Sequence, residues 1–172
     1  MSEHVPVGAD QRLVVGWREW MALPQLGIPA IRVKIDSGAR SSALHVHGLE
    51  CFQRGGREHV RFSLHPGREE DPQVSGCEAE VVDRRKVTDS GGHTSERVFI
   101  HTLLAVAGVE FRIEINLTDR RNMLFPMLLG RTAMAGRMLV DPDLSFVLGE
   151  PPSHLAPAAV PSAPATSQQR PR

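Results

Sequence analysis

A chain of 172 residues with 41% hydrophobic and 23% charged side chains is large enough to bury one core, and its composition excludes fibrous, collagen-like and wholly disordered classes. Twenty basic residues balance twenty acidic ones, so no global field draws the chain to nucleic acid or an anionic membrane. The start MSEHVPVGAD is no basic-then-apolar leader, Cys51 and Cys77 are expected as free thiols, and no apolar run approaches the roughly 20 residues of a membrane helix. The expectation is a cytoplasmic protein with neither a membrane nor a nucleic-acid partner.

Residues 1–11 are polar and turn-prone and are expected to be flexible. The patterned segments of one domain occupy 12–149. Six of the 13 prolines fall in the Pro/Ala/Ser-rich stretch 150–172, which buries too little apolar surface to offset its ordering entropy and is expected to be a disordered tail. Strands are expected over 13–17, 30–35, 59–64, 78–84, 97–107 and 109–117. Alternation is clearest in Ile31-Arg32-Val33-Lys34-Ile35 and from Phe111 to Leu117. Ala107-Gly108 and Asp89-Ser90-Gly91-Gly92-His93 supply the positive-φ residues of hairpin turns. Residues 54–76, rich in charges and turn formers, read as a hairpin plus a surface loop. Helical pattern is confined to 130–136 and to a single turn over 17–23, so the class is mostly β, a sheet or barrel with one or two short helices.

The sharpest chemical feature is Ile35-Asp36-Ser37-Gly38-Ala39-Arg40, where a strand runs into a carboxylate followed by a hydroxyl, a glycine and an alanine. Ser37 can hydrogen-bond the carboxylate, Gly38 lets the backbone turn its N–H groups onto the same oxygens, and Ala39 leaves room for close packing. An Asx-turn after a strand is the plain alternative. Downstream, Met123-Leu124-Phe125-Pro126-Met127-Leu128-Leu129-Gly130-Arg131-Thr132 is an apolar strand that meets a glycine and then a short helix.

An Asp-Ser-Gly-Ala loop, a later Leu-Leu-Gly-Arg segment and a Gly-rich hairpin between them resemble the retropepsin-type aspartic peptidase domain. More narrowly, residues 34–45, 83–85 and 120–131 are similar to the family historically labelled ATP-dependent zinc proteases, the RimB-like family. Some of its members are linked with RimK, an ATP-grasp enzyme that adds glutamates to a ribosomal protein. The resemblance implies a single-domain closed β-barrel that acts as a homodimer. Asp36, Ser37 and Gly38 would form the catalytic loop, Leu129 and Gly130 would support it, and Ala39, Arg40, Gly91, Gly92, Arg121 and Arg131 would contact a peptide. One chain supplies one such aspartate, whereas this chemistry needs two carboxylates sharing a proton.

The label's zinc and ATP have no local counterpart. His-Glu-x-x-His is absent, His45 and His47 lack a third ligand, and no Gly-x-x-x-x-Gly-Lys-Ser/Thr loop occurs, so neither metal nor cofactor is expected. Arg40, Arg84, Arg85, Arg120, Arg121 and Arg131 recur in or beside the motifs and suit an acidic, glutamate-rich peptide. The expected function is an aspartic-type peptidase on such a substrate, with a RimK-like glutamate ligase as a partner. The alternative is a non-catalytic module that binds acidic peptides or regulates that ligase.

Overall fold

Period-two alternation of apolar side chains yields strands through most of the chain. The computed structural model describes residues 11–67, 73–119 and 123–149. In order they form β1 (Leu13–Val15), β2 (Arg18–Leu23), a 3-10 turn (Pro24–Leu26), β3 (Ile28–Ile35), β4 (Ser42–Arg54), β5 (Arg57–Leu64) and β6 (Val74–Thr88). There follow β7 (Thr94–Val106), β8 (Val109–Asp119), β9 (Met127–Leu129), α1 (Arg131–Met134) and β10 (Met138–Val140). The expected tail and N-terminal arm, and Arg120 and Arg121, lie outside the described residues.

The large sheet has the order β2-β3-β9-β4-β5-β6-β7-β8, with further pairings of β2 to β7 and of β4 to β8. Those extra pairings let the ladder run from β2 through β3, β9, β4, β8 and β7 back to β2, a nearly closed ring. Its interior is filled by Ile31, Val33, Leu44, Val60, Ile100, Leu104, Ile115, Met127 and Leu129, all fully buried. The fold is mostly β and retropepsin-like, with one four-residue α-helix. No helix among the described residues is long and apolar enough to cross a membrane.

Both expected hairpins form. Val106 pairs with Val109 across Ala107 and Gly108, whose φ angles of 49° and 77° match the twist of the flanking strands. Thr88 pairs with Thr94 across the second turn, where Asp89 Oδ1 accepts the N–H groups of Gly91 (2.9 Å) and His93 (3.0 Å). The 54–76 region is a β4–β5 hairpin turning at Gly55 and Gly56, then β5 itself, with residues 68–72 outside the described set. Strand β4, 13 residues long, was not expected.

The helical turn expected over 17–23 is instead strand β2, antiparallel to β3. Burial alternates along it, with Glu19, Met21 and Leu23 inward, and the inward position held by a glutamate is what hid the alternation in the sequence. Glu19 is fully buried and anchors the C-terminal end of the domain. Its Oε1 accepts the N–H groups of Gly16 (2.8 Å) and Val147 (3.0 Å), and its Oε2 accepts that of Leu148 (3.3 Å). Over this clamp Phe146 stacks on Trp20, and the Arg18 guanidinium lies between the Trp17 and Phe146 rings.

Glu19→Ala leaves these N–H groups without an acceptor and should destabilise the domain by about 3 kcal/mol or more. Glu19→Gln, which keeps one carbonyl oxygen, should cost about half as much. Denaturant midpoints of the two variants check the order.

Candidate active site

Strand β3 delivers Asp36. Ile31, Val33 and Ile35 are buried, while Arg32, Lys34 and Asp36 occupy the opposite face, as the alternation requires. The parallel pairing of β3 with β9 ends at Ile35 and Leu129, and the Asp36 N–H donates to the Leu129 carbonyl at 2.9 Å. The chain then turns back sharply. The N–H groups of Gly38 and Ala39 both donate to Asp36 Oδ1 at 3.1 Å. One carboxylate oxygen is thus fixed by two backbone donors, and Oδ2 receives no hydrogen bond from the described residues. Asp36 is half-buried beside exposed Ser37 and Gly38, so the carboxylate is anchored yet reachable.

The second half of the site is the segment that passes beneath this loop. Strand β9 pairs in parallel with β3 on one side and antiparallel with β4 on the other, through Ala43–Leu128 and Leu44–Met127. Gly130 follows it at a point of close approach: a Cβ there would lie 2.5 Å from the carbonyl carbon of Ser41 and 2.9 Å from the carbonyl oxygen of Arg40. Only glycine fits. The next two residues clasp the loop from below. Arg131 donates its N–H to the Ala39 carbonyl at 2.9 Å and Nη1 to the carbonyls of Ser37 (3.0 Å) and Gly38 (2.9 Å). Thr132 donates both its N–H (3.2 Å) and its hydroxyl (3.1 Å) to the Arg40 carbonyl.

The structure therefore gathers Asp36, Ser37, Gly38, Ala39, Arg40, Leu129, Gly130 and Arg131 into one cluster. Gly91 and Gly92 form an exposed tip on the β6–β7 arm, and Arg121 lies outside the described residues. His45 is buried and His47 half-buried, its ring 5.6 Å from that of His65, and no group of three or more metal-ligating side chains occurs among the described residues.

Sequence reasoning missed a buried polar chain that supports the glycine. Ser42 Oγ accepts the Gly130 N–H at 3.0 Å, and the Ser42 carbonyl accepts Asn116 Nδ2 at 2.7 Å. Asn116 Oδ1 in turn accepts Arg97 Nη1 (3.1 Å) and the Thr118 hydroxyl (3.2 Å). Asn116 sits at an outward position by alternation but is 1% exposed, because β4 pairs along β8 and covers it. The only available signal was an uncharged amide at an alternating position where Arg112 and Glu114 before it are charged.

Gly130→Ala drives a methyl group into immovable backbone and should cost about 3 kcal/mol with loss of the loop's order. Ser42→Ala removes one buried hydrogen bond and should cost about 1–2 kcal/mol. Thermal unfolding, with amide exchange at Gly38 and Ala39 as the local readout, checks both.

The comparisons with known proteins agree with this geometry. A crystal structure of a Legionella pneumophila protein with unknown function (DUF785) superposes with a TM-score of 0.63 at 28% identity, covering 77% of this chain and 95% of that one. A protein of Shewanella pealeana named "Probable alpha-L-glutamate ligase" is 42% identical over 142 residues, which is 83% of this chain and 31% of the relative. A protein of Desulfotalea psychrophila with the same name is 42% identical over 137 residues, or 80% of this chain and 30% of the relative. The chain thus spans under a third of the length of these curated relatives. The family model described as retropepsin-like aspartic endopeptidase RimB matches residues 14–151, and the chain belongs to this RimB-like family.

Proposed function

We propose that the protein is an aspartic-type peptidase that works as a homodimer, with Asp36 of each protomer activating one water. The observation that carries this reading is the asymmetry of the carboxylate: Oδ1 is held by the Gly38 and Ala39 N–H groups, while Oδ2 is left for chemistry. Two such loops facing each other across a two-fold axis place two carboxylates around one water, where like charge forces them to share a proton. The ionised Asp36 takes a proton from the water as its oxygen attacks the peptide carbonyl, and the protonated one donates to the developing oxyanion. Collapse of the tetrahedral intermediate breaks the C–N bond. The proton taken from water passes to the leaving amine, the gem-diol hydroxyl returns its proton to the other Asp36 as the carbonyl reforms, and the pair is restored.

An acidic, glutamate-rich peptide is the proposed substrate. Arg40 extends exposed from the loop with no ion-pair partner among the described residues, and a guanidinium fork suits a carboxylate. The name carried by the longer relatives supports the same class: in a protein named for joining glutamate, a domain like this one stands beside the remainder of the sequence. A RimK-like ligase is accordingly the proposed partner, and glutamate-tailed ribosomal protein the proposed target.

A second reading is a peptide-binding module without hydrolysis. It is favoured by Lys34 and Arg32, which share the strand face of Asp36, since neighbouring cations oppose a shared proton.

Cleavage of an oligoglutamate-tailed peptide and of a mixed peptide library by wild type and Asp36→Asn separates the two. The peptidase reading expects chelator-resistant cleavage that falls about 10³-fold in a folded Asp36→Asn. Absence of cleavage by folded wild type, with peptide binding that survives Asp36→Asn and fails in Arg40→Gln, establishes the module instead.

A further inference from the structure

Beside the Asp36 loop, but not lined by Asp36, Ser37 or Gly38, lies a cavity of about 290 Å³ whose lining includes four arginines, Arg40, Arg85, Arg112 and Arg137. They come from four places in the chain: the end of the loop, β6, β8 and the segment after α1. A single carboxylate, Glu114, shares the walls, and it is already engaged by Arg85 Nη2. Among the described residues Arg112 makes no ion pair. Its Nη2 lies 2.8 Å from His101 Nδ1, which places the guanidinium against the imidazole ring. The other ring nitrogen lies 3.8 Å from Glu114 Oε2. Arg137 is positioned by stacking over Phe111, at 4.7 Å from the ring centroid, which orients its charge without cancelling it. The Arg40 backbone is pinned through its carbonyl by Thr132, which also lines the cavity. Two of these guanidiniums, those of Arg112 and Arg137, are therefore positioned by an imidazole ring and an aromatic face, and neither they nor Arg40 has an ion-pair partner among the described residues. Like charges gathered in this way repel unless an anion joins them.

The geometry points to this cavity as a binding site for a compact, multiply charged oxyanion of the phosphate or polycarboxylate class. The volume lies at the small end for ligand sites, enough for an ion the size of diphosphate or citrate and too little for a folded-in peptide. Planar guanidinium forks from different elements can each address a separate oxygen, and an ion that bridges them ties the loop, β8 and the segment after α1 together. Occupancy therefore raises the thermal stability of the domain. The site is independent of the peptidase reading and stands whether or not Asp36 hydrolyses anything.

Calorimetric titration of the full chain with inorganic diphosphate and, separately, citrate at matched ionic strength tests it. Saturable one-to-one binding with a rise in melting temperature is expected for at least one of them, and the preferred anion identifies phosphate or carboxylate as the natural chemistry. Arg112→Gln and Arg137→Gln should each weaken that binding about tenfold or more, whereas Arg57→Gln, an exposed arginine paired with Glu80 outside the cavity, should leave it unchanged. Arg137→Lys, which keeps charge but loses the fork, should be intermediate and serves if a glutamine variant does not fold. Lack of saturable binding by either anion overturns the proposal. So does equal weakening by Arg57→Gln, which would reduce the effect to diffuse charge.

Discussion

The structure depends on a three-residue strand. Strand β9 lies between β3 and β4, and without it the inner edges of both would be open over Val33–Ile35 and Ala43–Leu44. Two strand spacings of about 5 Å separate β3 from β4, and the loop 36–41 has to cross that width. It does so with its carbonyls from Asp36 to Arg40 all engaged. The Asp36 carbonyl accepts the Ala39 N–H, those of Ser37 and Gly38 accept Arg131 Nη1, that of Ala39 accepts the Arg131 N–H, and that of Arg40 accepts Thr132. Five successive carbonyls of a loop without regular structure are thereby held, which fixes the carboxylate it carries. Arg131 acts here first as a strut, and only the remainder of its guanidinium is available to a substrate.

Polar groups are distributed on two different principles. On the outer β4–β5–β6 surface the ion pairs are exposed and cross-strand: Glu78 lies between Arg54 and Arg61, and Glu58 faces Arg84. Hydrogen bonds from those arginines hold both carboxyls below the usual range, and Glu58 in turn raises the Arg84 pKa. Each such pair adds little stability in water, so their effect is on register and on keeping this broad surface soluble. Inside, the Ser42–Asn116–Arg97 chain behaves differently. Low dielectric makes every unmade bond costly, and the chain leaves Gly130 N–H and the Ser42 carbonyl both satisfied.

How much of this was legible follows from which residues carry local information. The loop at Asp36 and the Leu129-Gly130-Arg131 segment were readable because each residue type answers a local steric or hydrogen-bonding need. Strands with one wet face, such as β3, showed their alternation. Strand β2 did not, because Glu19 occupies an inward position and its acceptors' partners, Val147 and Leu148, lie more than a hundred residues away. Strand β4 was missed for a related reason. Ser42 to Val46 is buried throughout, being flanked by β9 and β8, so it shows no alternation, and its outer half ends in charged and turn-forming residues. The arginine cavity was invisible as a unit, since Arg40, Arg85, Arg112 and Arg137 converge only through the ring's closure.

The geometry at Asp36 also bears on where a shared proton can reside. Oδ1 already accepts two N–H groups, so its lone pairs are engaged by the backbone. In the proposed dimer Oδ2, which has no donor among the described residues, is the oxygen open to a shared proton. The cations nearby do not all act on it equally. Arg32 is drawn over the Phe125 ring at 5.1 Å, and Arg131 is turned beneath the loop onto carbonyl oxygens, whereas Lys34 remains exposed on the same strand face. Lys34 thus keeps an exposed charge on that face with no ion-pair partner among the described residues. An acidic substrate laid across that face would neutralise it, so the glutamate-rich peptide proposed as substrate would also restore the electrostatic condition that the paired carboxylates require.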